Sequence, residues 1–333
     1  MDLTINKTAT NTVEFDDNTL LPVLVGRHNE NLKILEDALD LAIEVRGNKI
    51  ALSGQEEYVH QCQEILNALW DRLQNEKNVT SQDVRAALRF YKPPENLING
   101  PGHSLKDYVD PKAVIQLRKK KVMARSPNQA EYIRAMKDYD MVFATGPGGT
   151  GKTYLAVAMA VYLYQEKEID KMIFCRPAVE AGERLGFLPG DMQEKIDPYL
   201  RPIYDALNDI LSSKEVAKLI EDGRIEIAPL AFMRGRTLKN AFVVLDEAQN
   251  TTSSQMKMFL TRMGENAHMI INGDISQIDL PKGTVSGLIE ADRITRNINE
   301  IGKISFQSAD VIRHSLVSKI VDAYEYYDPK PAT

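Results

Sequence analysis

Apolar residues recur along the chain with two different periods, and the change of period divides it. Over NENLKILEDALDLA (29–42), Leu32, Ile34, Leu35 and Leu39 mark one helical face, and EEYVHQCQEILNALWDRLQ (56–74) returns to the same period. Between them AIEVRGNKIALSG alternates about Arg46-Gly47-Asn48, as a β-hairpin does, and NTLLPVLVG (18–26) reads as a strand ahead of the first helix. The order β-α-β-β-α describes a small α+β module over residues 1–91. Residues 92–112, KPPENLINGPGHSLKDYVDPK, are rich in Pro, Gly and Asn, lack an apolar stripe and read as a linker. From 113 to 333 short apolar runs alternate with helical ones: MVFAT (141–145), KMIFC (171–175), RIEIA (224–228), FVVL (242–245) and HMIIN (268–272). Strands separated by helices imply an α/β fold whose parallel sheet is covered on both faces, with ligands beyond the strands' carboxyl ends.

Composition changes this picture little. The 333 residues are 43% hydrophobic and 26% charged, ordinary for a globular protein of about two domains. The longest strongly apolar stretch, Leu155 to Tyr164, is shorter than the ~20 residues a bilayer requires. MDLTINKTATNTVEF lacks the apolar core of a secretory signal. Cys62 and Cys175 make neither a disulfide framework nor a metal cluster, and the five histidines are scattered. The expectation is a cytoplasmic protein with reduced thiols and no membrane partner. Residues 1–95 hold 16 Asp and Glu against 10 Lys and Arg, while the remainder balances at 31 against 31. Neither half has the bulk basic charge that announces nucleic-acid binding.

The chemistry begins at FATGPGGTGKTYLA (143–156). Gly146-Pro147-Gly148-Gly149-Thr150-Gly151-Lys152-Thr153 matches G-x-x-x-x-G-K-[ST] in full, after a strand pattern and before a helical one. Bare glycines let successive N–H groups converge on phosphate oxygens at the positive end of the following helix. Lys152 is then expected to reach the β- and γ-phosphates of a nucleoside triphosphate, and the Thr153 hydroxyl to sit on Mg²⁺. AFVVLDEAQN ends a strand in two acids: Asp246 for the metal, and Glu247 to orient or deprotonate an attacking water. In IINGDISQIDLP, Gln277 follows another strand and can hydrogen-bond the γ-phosphate or the water. Upstream, RSPNQAEYIRAM places Gln129 at the start of a helix, where its amide can read an adenine edge or remain an ordinary exposed glutamine.

Gln129, the phosphate loop, LDEAQ and GDISQ follow the order of superfamily 1 helicase cores. With RPAVEAGERLGFLPGDMQEKIDPYLRPIYDAL (176–207), IEIAPLAFMRGRTLKNAFVVLDEAQNTT (225–252), MKMFLTRMG (256–264) and DVIRHSLVSKIVDAYE (310–325), the chain resembles the PhoH-like P-loop ATPases over about 112–326. The N-terminal module resembles the KH-like domain of the longer members. Gly149 stands where alanine is common, and Asn272 replaces the usual threonine. The resemblance implies a RecA-like core, ATP and Mg²⁺ as cofactors, and a role in RNA metabolism as a helicase or remodelling enzyme. It also implies work beside an endoribonuclease of ribosomal RNA maturation. About 220 residues hold one core, so the catalytic arginine that tandem cores exchange must come from another subunit. A homo-oligomeric ring, a hexamer, is the expectation, with Arg313 as first candidate for the donated arginine and Arg236 as second; either can instead pair with a neighbouring acid. An ATP-switched scaffold that docks the nuclease without unwinding is the other reading.

Three segments bear on RNA contact. Gly26-Arg27-His28-Asn29 stands where a KH module needs G-x-x-G, without the second glycine. LRKKKVMAR (117–125) carries five positive charges, either along a phosphate backbone or as the solvated face of a helix. GFLPGDMQEKIDPYLRP reads as a long loop offering Tyr199 and Arg201 to nucleic acid or to a subunit interface. Trp70 belongs to an apolar helical stripe and reads as core.

Overall fold

The computed structural model describes residues 8–76, 78–91, 110–177, 192–281 and 283–312, together with 317 and 320. The described residues pack as two units, one holding those up to 113 with 124–130, the other 114–123 with those from 131 onward.

The first unit carries β1 (Thr8–Glu14), α1 (Leu21–Val25), α2 (Glu30–Leu39), β2 (Ala42–Arg46), β3 (Lys49–Gln55), α3 (Glu56–Glu76) and α4 (Ser81–Tyr91). Its strands form an antiparallel sheet in the order β1-β3-β2. The hairpin turns at Gly47-Asn48 as its alternation predicts, with Gly47 at φ +64°. The 18–26 segment is not a strand. Pro22 sits at a helix start, where its missing N–H costs nothing, and Leu21, Leu24 and Val25 bury one helical face. The first strand is instead Thr8–Glu14, whose threonines alternate outward while Val13 is buried. On α3, Val59, Cys62, Ile65, Leu66, Leu69, Trp70 and Leu73 are all buried, and Trp70 packs on Phe15 with ring centroids 4.6 Å apart.

The second unit opens with a small hairpin, β4 (Val114–Gln116) and β5 (Lys121–Met123). Helix α5 (Pro127–Asp138), whose residues from 131 onward belong to this unit, precedes the main sheet: β6 (Met141–Thr145), β7 (Lys171–Arg176), β8 (Ile225–Pro229), β9 (Ala241–Leu245), β10 (Ala267–Gly273) and β11 (Ile301–Ser305). Between these strands lie α6 (Lys152–Gln165), α7 (Met192–Ile210), α8 (Ser213–Glu221), α9 (Ser253–Leu260) and α10 (Gly287–Ile294). All six strands pair parallel in the order β11-β6-β10-β9-β7-β8. The fold is therefore α/β with a RecA-like P-loop core: the strand before the glycine loop, β6, and the strand ending in Asp246, β9, are separated by β10. All of β9 is buried, as a strand covered on both faces must be.

Two further expectations are corrected. The basic 117–125 stretch is no helix; it spans the β4–β5 hairpin, and its lysines find acids in the same unit. Lys119 pairs with Glu215 at 3.0 Å and Lys120 bonds Asp209. Residues 192–202 of the presumed long loop belong to helix α7, Met192–Ile210. Among the described residues no helix is long and apolar enough to cross a membrane.

Candidate active site

The loop after β6 closes tightly because its glycines permit it. Gly146, Gly149 and Gly151 have φ of +143°, +80° and +86°, conformations that side chains disfavour. A Cβ on Gly146 would also stand 2.5 Å from the Phe306 carbonyl oxygen. Thr150 ties the loop by donating its hydroxyl to Pro147 O at 2.9 Å. The loop then enters α6, whose apolar residues are buried on nearly every side, so the helix start is held rigidly against the sheet.

Lys152 folds back over the loop and donates Nζ to Gly146 O at 2.7 Å and Pro147 O at 2.8 Å. Burial pushes its pKa below the ordinary lysine range, while Asp274, Asp246 and Glu247 pull the other way. Thr153 donates its hydroxyl to Asp246 Oδ1 at 2.8 Å. Asp246 sits just past the end of β9, its amide held by Cys175 O at 2.9 Å. Glu247 follows in the left-handed region at φ +55°, a strained conformation for a side-chain-bearing residue.

Gln249, fully buried, holds this arrangement together. Its Nε2 donates to Glu247 Oε2 at 2.7 Å and to Gln277 O at 3.1 Å, and its Oε1 accepts from the Asp274 amide at 2.9 Å. Gln277 in turn donates to Asp274 Oδ2 at 2.5 Å, the same oxygen that accepts the Gly148 amide at 2.9 Å. Burial raises the Asp274 pKa, but the Ser276 hydroxyl and amide, Gln277 and Gly148 outweigh it and hold the carboxyl below its ordinary value.

Lys152, Thr153, Asp246, Glu247, Asp274 and Gln277 line one cavity of about 530 Å³, within the range of small-molecule sites of roughly 300–1,000 Å³. Gly148, Gly149, Gly151, Lys152, Thr153, Asp246, Glu247 and Gln277 therefore meet at one place, as expected. The donor set fits a magnesium nucleotide. Glycine amides and an ammonium suit phosphate, and a hydroxyl beside a single carboxylate suits a hard cation that keeps water and phosphate as further ligands. Among the described residues no group of three or more His, Cys, Asp or Glu is placed to hold a metal by itself.

The other candidates fare differently. Gln129 packs with the first unit, buried, its amide oxygen accepting from the Arg125 N–H at 2.8 Å. Arg236 is bound to Glu226, with Nη2 2.8 Å from Oε2. Arg313 and the side chain of Tyr199 lie outside the described residues, and Arg201 is exposed. The departure at Asn272 has a visible consequence: its Oδ1 takes the Tyr132 hydroxyl at 2.7 Å, while its Nδ2 is buried with no partner among the described residues.

Sequence reasoning missed several participants. Gln249 lies inside the LDEAQ motif, and Asp274 inside GDISQ, but their roles depend on partners on another strand. Arg176 donates Nε to Asp246 Oδ2 at 2.9 Å and Nη2 to the same oxygen. On the far wall of the cavity Tyr154 donates its hydroxyl to Asp209 of α7 at 2.8 Å.

The PhoH-like protein family model matches residues 121–325. The "PhoH-like protein" of Bacillus subtilis (strain 168) is 47% identical over 302 residues, covering 91% of this chain and 93% of its own length. That of Mycobacterium tuberculosis (strain ATCC 25618 / H37Rv) is 46% identical over 305 residues, covering 92% and 85%. "Protein PhoH" of Escherichia coli (strain K12) is 45% identical over 205 residues, 61% of this chain and 58% of that one. Among solved structures, the Sulfolobus solfataricus SWI2/SNF2 ATPase core in complex with dsDNA aligns over 60% of this chain and 46% of that one. Its TM-score of 0.33 at 12% identity is too loose to carry an argument.

Proposed function

The chain belongs to the PhoH-like protein family, and from that premise we propose that it hydrolyses Mg·ATP to drive RNA remodelling as a homo-oligomer. It is a nucleotide-binding protein of the P-loop ATPase type. The observation that carries the hydrolytic reading is the grouping of Lys152, the Thr153–Asp246 pair and the Gln249-held Glu247 around one cavity.

In this reading the loop amides and Lys152 hold the phosphates and stabilise the charge that develops on them. Thr153 and Asp246 hold Mg²⁺, which supplies further neutralisation of that charge when bound. Glu247 accepts a proton from the attacking water, and Gln249 fixes the direction in which its carboxylate points. Gln277, one turn from Asp274, lies at the edge of the same cavity and senses the terminal phosphate.

The RNA and assembly parts of the proposal rest on the family resemblance and on the single core. One core supplies half of a closed site, so a neighbouring subunit, in a hexameric ring, donates the completing arginine, for which Arg313 is the candidate. The acidic first unit supports the second reading, an ATP-switched adaptor that docks a ribosomal RNA endoribonuclease. ATP turnover with and without single-stranded RNA, followed by duplex unwinding, separates the two. The motor reading expects RNA-stimulated turnover and unwinding, both lost in Lys152→Ala and Glu247→Gln. Slow turnover indifferent to RNA supports the adaptor, and full activity in a strict monomer on gel filtration contradicts the ring.

A further inference from the structure

Asp246 takes donors from two elements, Thr153 and Arg176, and the claim on it that no motif explains comes from Arg176. Both residues end neighbouring parallel strands. Cys175 of β7 pairs with Leu245 of β9, so Arg176 and Asp246 are the next positions on each and emerge side by side. The guanidinium donates both Nε and Nη2 to Asp246 Oδ2, while Oδ1 takes the Thr153 hydroxyl. Nη2 also stands 3.9 Å from Glu247 Oε1. The Arg176 and Asp246 side chains are only 13% and 4% exposed, so water screens their attraction little.

One cation thus spans the carboxylate that would hold the metal and the carboxylate that would direct water. A carboxylate oxygen offers two lone pairs, and both on Oδ2 are taken by Arg176. A divalent cation that uses this oxygen must do so at the expense of the guanidinium. Glu247 is the acid already within reach of the displaced N–H groups.

We propose that Arg176 is a positioning residue that couples metal binding to Glu247: it would compete with a bound divalent cation for the Oδ2 side of Asp246, and where released from that oxygen its guanidinium would turn to Glu247. The inference rests on the Mg·ATP reading of the cavity. It makes Arg176 act through Glu247 rather than on the phosphates, and it gives the site a reason to keep a buried cation where a cation must also bind.

The test is a titration of the full chain with a fluorescent ADP analogue at stepped Mg²⁺ concentrations and in EDTA, with ATP turnover measured in parallel. Arg176→Gln is expected to lower the Mg²⁺ concentration that half-saturates nucleotide binding by about tenfold, the order of one charge-assisted hydrogen bond. Its affinity in EDTA stays within about twofold of the unaltered chain, and its turnover at saturating Mg·ATP falls by about 10–100-fold, a loss in kcat rather than KM. Arg176→Lys keeps one positive charge on Asp246 but cannot span both acids. It is expected to leave the Mg²⁺ half-saturation near the original while turnover still falls about tenfold or more, and it carries the test alone if the glutamine variant does not fold. Weakening of nucleotide binding to the same extent with and without Mg²⁺ would make the pair a structural tie between strands and overturn the inference. So would variants indistinguishable from the unaltered chain, which leave the ATP reading standing. An unaltered chain that binds no nucleotide under either condition removes the ATP reading and this inference together.

Discussion

Gly146–Gly151 and Gly26–Asn29 both turn the chain out of one element and into a helix, and they solve the turn differently. In the first, three glycines take the positive φ values. In the second, Gly26 takes one, and His28 and Asn29 carry the next two at +52° and +61°. Both following helices begin without a side-chain cap, but α6 opens with Lys152 and Thr153 in the cavity that Asp246 and the Asp274–Gln277 pair also line. Glycine content alone does not separate a phosphate site from a turn. What separates them is the set of charged and hydrogen-bonding groups that the sheet presents opposite the bare backbone.

The comparison breaks most readily at Glu247. Glu247→Gln should retain Mg·nucleotide binding and lose about 10²–10⁴-fold in turnover, the usual range for a general base, as read by phosphate release against calorimetry. An unimpaired rate would remove Glu247 from the chemistry and leave the loop a mere binding site. Next in size is Gly146→Ala. With φ at +143° and a Cβ 2.5 Å from Phe306 O, it should destabilise the second unit by about 2–3 kcal/mol and abolish nucleotide binding. A denaturant midpoint equal to that of the unaltered chain would show that the tight approach is not needed.

A smaller effect should appear with pH. Burial lowers the Lys152 pKa, so its ammonium is lost at a lower pH than an ordinary lysine's. Nucleotide affinity is then full below that lowered pKa and falls as pH rises through it, before the ordinary lysine range is reached. Lys152→Arg, which does not titrate, should flatten the profile; a flat profile in the unaltered chain up to pH ~10.4 would contradict the burial argument. The smallest effect belongs to the other turn. His28→Gly should raise the stability of the first unit by about 0.5–1 kcal/mol by removing left-handed strain. A loss of stability instead would mean that the histidine side chain holds the turn.

Where a residue's position is set by its own strand or loop, the sequence made it legible. The five apolar runs of the main sheet end within one residue of the observed strands, and the loop, Asp246, Glu247 and Gln277 converge because parallel strands deliver their carboxyl ends to one rim. Strand β11 escaped notice because IGKIS interrupts its alternation with Gly302 and Lys303, and Gly302 is there to admit Tyr139, whose ring would lie 3.0 Å from a Cβ. The 18–26 run misled because five apolar residues over two short turns look the same as a strand until Pro22 is seen as a helix start. The basic 117–125 stretch is a hairpin rather than a helix, and two of its five charges, Lys119 and Lys120, are answered by Glu215 and Asp209, about ninety residues away. Arg176 and Gln249 act through partners brought by register and by a second loop, which no local pattern contains.

The central claim is that the bare loop and Lys152 hold the triphosphate for hydrolysis at Glu247. The most direct test titrates Mg²⁺ and a non-hydrolysable ATP analogue into the full chain and into Lys152→Ala, with turnover measured on both. The account predicts one nucleotide per chain, with affinity and turnover falling by about 10²–10³-fold in the variant, the scale of losing one buried charge-stabilising group. Equal binding and equal turnover in the two proteins would contradict it.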